Sequence, residues 1–176
     1  MEKVTYIPWR RVRFWRCLGC GECCRWFNVP LRPVEYVELL NRYGEGAFRF
    51  ELGKVFLKRR IDGRCIFQTF REGLWLCSLQ KLKPIACKLW PFMVLSSPKY
   101  GRGREAKYKY HEKTYYIYID PRCRGILMGE ASIHLERNIL PEIIEISLGS
   151  PITQRFSTAQ LTIYEEKANI KPIIYC

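Results

Sequence analysis

Three cysteines at C-x2-C-x2-C spacing, Cys17-Leu-Gly-Cys20-Gly-Glu-Cys23, are followed at once by a fourth, Cys24. Three thiolates so spaced can surround one point, and the glycines at 19 and 21 permit a sharp turn whose N–H groups face the sulfurs. The spacing occurs in bacterial four-iron ferredoxin loops, although the C-x3-C-P continuation of those loops is missing here. The pair Cys17 and Cys20 is equally half of a zinc knuckle. Cys24 is expected to aim at a different site or a different iron from Cys23, because neighbouring residues do not easily share one ion. The other cysteines are scattered, at Cys65, Cys77, Cys87, Cys123 and the terminal Cys176. Cys176, isolated, reads as a small hydrophobe. The remaining eight would serve two four-ligand sites, or one cluster and one mononuclear site. A closed four-thiolate centre holding zinc or an oxidised four-iron cluster carries about −2. Arg16, Arg25, Arg64, Lys88, Arg122 and Arg124 lie beside these cysteines in sequence and could offset that charge.

Other chemistry is thinly represented. With eight cysteines at hand, neither His111 nor His134 is needed as a ligand. There is no G-x-S-x-G, phosphate loop or dinucleotide fingerprint, and Gly101-Arg-Gly103-Arg lacks the flanking strand and helix of one. Glu142 and Glu145 share a helix face and read as solvated. A catalytic thiol needs a base, and no histidine adjoins Cys24 or Cys176.

The cysteine count also speaks to compartment. The segment 1–16 holds Arg10, Arg11, Arg13 and Arg16 where a secretory signal needs an apolar stretch, which points to the cytoplasm. No apolar run approaches the ~18 residues of a membrane span. In a reducing cytosol nine cysteines argue for metal or catalysis, and a disulfide framework stays open only for a hyperthermophile.

The chain carries 30 Lys+Arg against 17 Asp+Glu, a formal +13. Residues 1–128 hold 26 of the cations and 11 of the acids, whereas 129–176 hold four and six. Two segments concentrate the charge. Residues 9–16 interleave Trp9, Phe14 and Trp15 with Arg10, Arg11, Arg13 and Arg16. Residues 99–113, KYGRGREAKYKYHEK, add Lys99, Arg102, Arg104, Lys107, Lys109 and Lys113 among three tyrosines. Cations to meet phosphates and rings to stack on bases suit RNA or a ribonucleoprotein, against the plainer reading of a solvated basic surface.

The elements that must position these groups are short. Pro33–Tyr43 is expected to be a helix, with Val34, Val37 and Leu40 at helical spacing and Gly44 as its stop. Residues 48–60 read as extended and Asp62-Gly63 as a turn. Residues 65–67, 74–77 and 114–119 read as strands, 121–125 as a turn, and 84–90, 130–140 and 141–148 as helical. One further strand is expected over 159–164. The chain reads as an α+β fold: a small, irregular, metal-organised domain over 1–128 with a basic insertion at 96–113, and a C-terminal helical and extended extension over 129–176. So few short elements bury little area, so metal–thiolate bonds would contribute folding free energy directly.

The ordered motifs carry a resemblance. The run CLGCGECCR at 17–25 resembles the defining motif of the CxxCxxCC-type cysteine-cluster family of zinc- or iron-chelating domain proteins. GRCIF at 63–67 is similar to its G-x-C-x-F element, CSLQKLKPIACKLWPF at 77–92 to its C-x-I-Y-x-x-R-P-x-x-C-R-x-F-P stretch, and CRG at 123–125 to its closing C-x-G. Lys83-Pro84 stands where the family usually has Arg-Pro, and Trp90-Pro91 where it has Phe-Pro. The stretch 96–113 is longer and more basic than the family's, and the tail beyond 128 has no counterpart there. The resemblance implies that Cys17, Cys20, Cys23, Cys24, Cys65, Cys77, Cys87 and Cys123 are the metal set, with zinc or an iron–sulfur cluster, including the 4Fe–4S type, as the cofactor. A related cysteine pattern in flagellin lysine methylases gives an enzymatic analogy. The functions in view are a metal-binding basic protein associating with RNA, an iron–sulfur redox or modification enzyme, and metal storage or delivery.

Overall fold

No element among the described residues is long enough to be stable by itself, so each depends on packing. The computed structural model describes residues 4–158. Along the chain lie β1 (Ile7–Pro8), a 3-10 turn Trp9–Arg11, β2 (Val12–Trp15), α1 (Glu22–Trp26), α2 (Pro33–Tyr43), a 3-10 turn Glu45–Ala47, β3 (Phe48–Glu51), β4 (Lys54–Leu57), β5 (Gln68–Arg71) and β6 (Leu74–Cys77). Then follow α3 (Ile85–Leu89), β7 (Phe92–Leu95), α4 (Gly103–Ala106), β8 (Lys107–Tyr110), β9 (Lys113–Ile119), β10 (Ile126–Met128), a π-helical turn Leu135–Ile139 and α5 (Leu140–Leu148). The fold is α+β, as expected, with every strand pairing antiparallel. The described residues form two compact units, 4–18 with 88–158, and 19–87.

The first unit is built on β9, the strand richest in β-branched and aromatic residues. β7 pairs along one side of it, Phe92 opposite Ile119 through Leu95 opposite Tyr116. β8 and β1 share the other side, Lys107 opposite Tyr116 and Ile7 opposite Ile119. The core is Trp9, Val12, Trp15, Phe92, Ile117 and Ile119 against Leu135, Ile139, Leu140, Ile143 and Ile144, all buried. β8 alternates cleanly. Lys107 and Lys109 face water, while Tyr108 and Tyr110 turn inward, their hydroxyls donating to the Glu136 carbonyl and to Glu145 at 2.8 Å each. Outward lysines on an edge strand also discourage pairing with another chain.

The two glutamates expected on a solvated face are structural instead. Glu142 is buried, and its carboxylate accepts from the backbone N–H groups of Arg155, Phe156 and Ser157 at 2.7–3.2 Å. Glu145 accepts from Tyr110 and Ser150. A carboxylate leaves water when several donors replace its hydration shell, which sequence spacing does not reveal.

The second unit packs α2 against two hairpins, β3–β4 and β5–β6, around Val29, Leu39, Ala47, Phe48, Leu57, Cys65, Phe67 and Leu79. α2 has the bounds expected, but is rotated from the face expected. Val34 and Val37 are exposed, and the inward stripe is Tyr36, Leu39, Leu40 and Tyr43. The larger rings decide it, Tyr36 packing edge-on to Phe48 at 5.0 Å and Tyr43 to Phe67 at 4.8 Å. The extended stretch 48–60 folds back on itself at Leu52-Gly53, both with positive φ. Residues 65–67, expected as a strand, are a turn with one bridge, Arg59 opposite Cys65. The strand expected over 159–164 lies outside the described residues, as does Cys176.

Candidate metal centre

The loop bearing the first cysteines is clamped by the β5–β6 hairpin. Gly21, at φ +73°, turns the chain into α1. A Cβ there would sit 2.3 Å from Gln68 Nε2 and 2.6 Å from Trp75 Cβ, so only glycine fits this close approach. Gln68, itself buried, donates to the Gly21 carbonyl at 3.0 Å. The Trp75 N–H donates to the Gly19 carbonyl at 2.7 Å, and the Cys65 N–H to the Cys24 carbonyl at 3.1 Å. Cys77 stands opposite Gln68 in the same hairpin. Cys87 is carried by α3, whose first N–H, at Ile85, donates to Glu35 of α2 at 2.6 Å. That bond satisfies a helix-terminal donor and fixes where Cys87 emerges.

These contacts bring Cys23, Cys24, Cys65 and Cys87 within electrostatic reach of Cys77, and Cys87 within reach of Cys65 and Cys23. Cys23 and Cys24, expected to aim at different sites or irons, stand side by side. Their sulfurs are 3.9 Å apart, near the ~3.8 Å edge of four thiolates set around one zinc at about 2.3 Å. Hydrogen bonding to Cys24 holds Cys23 below its ordinary value. The same contact, then burial, pushes Cys24 far up. Burial pushes Cys65 up to about 11, with the Arg59 and Arg60 charges pulling the other way. Burial also raises Cys77 and, more strongly, Cys87, and for both Lys83 opposes the rise. Dry thiols of this kind stay protonated unless positive charge arrives, and a thiophilic metal supplies it.

Cys20 lies in the same unit, between the two clamped glycines. Cys17 and Cys123 belong to the first unit, at one end of the β2–β10 ribbon. The Arg16 N–H donates to the Gly125 carbonyl at 3.1 Å, extending the ladder in which Trp15 faces Ile126. Trp15 Nε1 donates to the Cys123 sulfur at 3.3 Å. The Cys123 turn is held by buried Asp120, which pairs with Arg122 at 2.5 Å. None of the eight described cysteines is disulfide-bonded. Among the described residues no three Cys, His, Asp or Glu side chains already close on one point tightly enough to hold an ion. His134 is engaged by Asn138 and stacks on Phe14, and His111 lies in the exposed β8–β9 turn.

Three residues escaped the sequence reading: Arg59, Arg60 and Lys83 are cations that act on the gathered thiols. Arg64 instead covers Trp75 at 3.9 Å, and Arg122 pairs with Asp120. The signal available was the run Lys58-Arg59-Arg60 ahead of Cys65. The five gathered thiols fit a metal: they are sulfur-only and desolvated, whereas Cys17 is exposed, and buried Arg59 Nη2 has no hydrogen-bond partner among the described residues. An anionic metal–thiolate centre would give that nitrogen one.

The basic segments are split by the structure. Arg10, Arg13, Arg16, Lys99, Arg102, Arg104, Lys107, Lys109 and Lys113 are exposed, and exposed Arg11 pairs with Glu105. The rings between them are mostly committed elsewhere. Trp9 and Trp15 are core residues, Tyr108 and Tyr110 face inward, and Tyr100 packs between Tyr6 and Tyr118, leaving Phe14 at the surface. Burying an aromatic ring outweighs holding it ready for a base.

An α+β fold that gathers thiols from a loop, a hairpin and a short helix defines a cysteine-cluster protein. Residues 16–124 match the CxxCxxCC family, described as "Putative zinc- or iron-chelating domain", and the chain belongs to that family. No curated protein and no solved structure matches it. No helix among the described residues is long and apolar enough to cross a membrane.

Proposed function

We propose that the chain holds zinc or an iron–sulfur cluster through Cys17, Cys20, Cys23, Cys24, Cys65, Cys77, Cys87 and Cys123, in the reducing cytoplasm. The observation that carries this is the gathering of five desolvated thiols from four separate stretches of chain, with Lys83, Arg59 and Arg60 beside them. A sulfur-only donor set suits zinc and iron–sulfur clusters alike. Bound, the metal supplies the positive charge that keeps these thiolates ionised away from water. The chain's own part is to fix them, through Gln68 on Gly21, Cys65 on Cys24 and Glu35 on α3. The test is anaerobic purification with zinc, iron and acid-labile sulfide measured per chain. At least one zinc, or about four irons with matching sulfide, is the expected result. A chain with neither, before and after reconstitution, refutes the reading.

A second reading concerns the exposed cations. The first unit, over its described residues, holds 15 Lys+Arg against seven acids. Lys107 and Lys109 point outward from the same strand. We propose that this surface associates with RNA through its phosphates, with base stacking playing little part. Lys107→Glu with Lys109→Glu is expected to weaken binding to a single-stranded RNA and to reduce the log–log salt slope by about 1.4, with metal content unchanged. Equal affinity at several salt concentrations leaves the lysines as edge protection alone.

A further inference from the structure

We infer that Arg59 is a positioning residue of the metal–thiolate centre, its Nη2 nitrogen donating to a ligand sulfur once metal is bound. The inference rests on the chelation reading above.

Arg59 sits where two cysteine-bearing stretches join. Its backbone is the bridge partner of Cys65. Its Nη1 donates to the Arg25 carbonyl at 2.6 Å, just past Cys24, and to the Gly63 carbonyl at 3.1 Å, just before Cys65. The Cys65 N–H in turn donates to the Cys24 carbonyl. One guanidinium nitrogen is therefore spent on holding Cys24 and Cys65 together. The other, Nη2, is buried and has no partner among the described residues. A buried guanidinium N–H left unmatched is costly. Neighbouring Arg60 makes the contrast plain, since its Nη2 donates to the Cys65 and Gln68 carbonyls. The Arg59 charge acts on the Cys65 thiol, its partner across that bridge. An N–H···S bond there orients the thiolate and spreads the charge of the centre, as donors behind metal ligands do. Lysine cannot do the same work, because only a rigid fork lets one nitrogen pin the backbone while another is left to meet a sulfur.

The test compares wild type with Arg59→Lys and Arg59→Met, each loaded with Zn(II) or Co(II) under anaerobic conditions. Zinc affinity is read by competition with a chromophoric chelator, and the sulfur-to-cobalt charge-transfer band by absorption. Arg59→Met is expected to bind the same number of ions 10- to 100-fold more weakly. Its charge-transfer band should move to lower energy, since a thiolate without its donor is more electron-rich. Arg59→Lys, which keeps the charge and one backbone contact, should fall between, and it serves alone if the methionine variant does not fold. An unchanged band and affinity in a loaded, folded variant overturns the role of Arg59 and leaves chelation standing. A wild-type chain that takes up neither ion overturns both.

Discussion

Cys77→Ser is expected to strip the chain of at least one metal equivalent and to lower its stability by about 3 kcal/mol or more. Cys77 is the most central of the gathered thiols. It lies within electrostatic reach of Cys23, Cys24, Cys65 and Cys87, and faces Gln68 across the hairpin that clamps the Gly21 turn. Metal binding to a cysteine site is folding free energy, on the order of 10–16 kcal/mol for a whole zinc site, so losing one ligand forfeits a large part of it. In a chain of this length a deficit of that size lowers Tm by roughly 6–12 °C. Elemental analysis and a thermal melt in the same buffer check both halves. Cys176→Ser, outside the proposed set, should keep full metal and the wild-type Tm. Equal metal and equal Tm in Cys77→Ser would remove it from the ligand set.

Gly125→Ala is expected to be as damaging for a different reason. A Cβ at Gly125 would lie 1.8 Å from the Arg16 carbonyl oxygen, a backbone atom that no rotamer change can move aside. The β2–β10 ladder must open, and the Arg16-to-Gly125 hydrogen bond is lost at the point where Cys17 and Cys123 share one end of the ribbon. Overpacking against flexible side chains costs about 1–3 kcal/mol. Against backbone the cost should reach or exceed the top of that range. Gly46→Ala is the control: nothing lies within 4 Å of its added Cβ, so it should change stability by less than about 1 kcal/mol. Chemical denaturation of both variants makes the comparison, and a Gly125→Ala chain as stable as wild type would contradict the ribbon geometry.

Much of this was legible from the sequence where a rule is local. Pro33 and Gly44 delimit α2, the run of β-branched and aromatic residues marks β9, and four ordered cysteine motifs point to the family that the comparison then showed. What could not be read was decided by partners distant in sequence. Val34, Val37 and Leu40 make a helical stripe as good as Tyr36, Leu39, Leu40 and Tyr43 until Phe48 and Phe67 are there to receive the rings. Glu142 looks like any surface acid until residues 155–157 bring it their N–H groups. Arg64 and Arg122, each next to a cysteine in sequence, cover Trp75 and pair with Asp120, while Arg59 and Arg60, from the strand-to-turn passage, act on Cys65. The candidate ligands were legible as types and spacing. Their partition between two units was not, because the chain leaves the first unit inside the cysteine motif, after Leu18.

That crossing has a consequence for the economy of the second unit. Over its described residues it is one unbroken stretch, 19–87, with Cys20 and Cys23 near its start and Cys87 as its last residue. A metal taken by Cys23 and Cys87 together acts as a clasp at the base of a loop of about 65 residues. By the loop-closure relation used for cross-links, such a clasp removes about 4 kcal/mol of freedom from the unfolded chain. The gain is independent of how many apolar contacts the small core makes. With such a clasp in place, two modest hairpins and an 11-residue helix would be held as one body by the tied ends of the stretch they share.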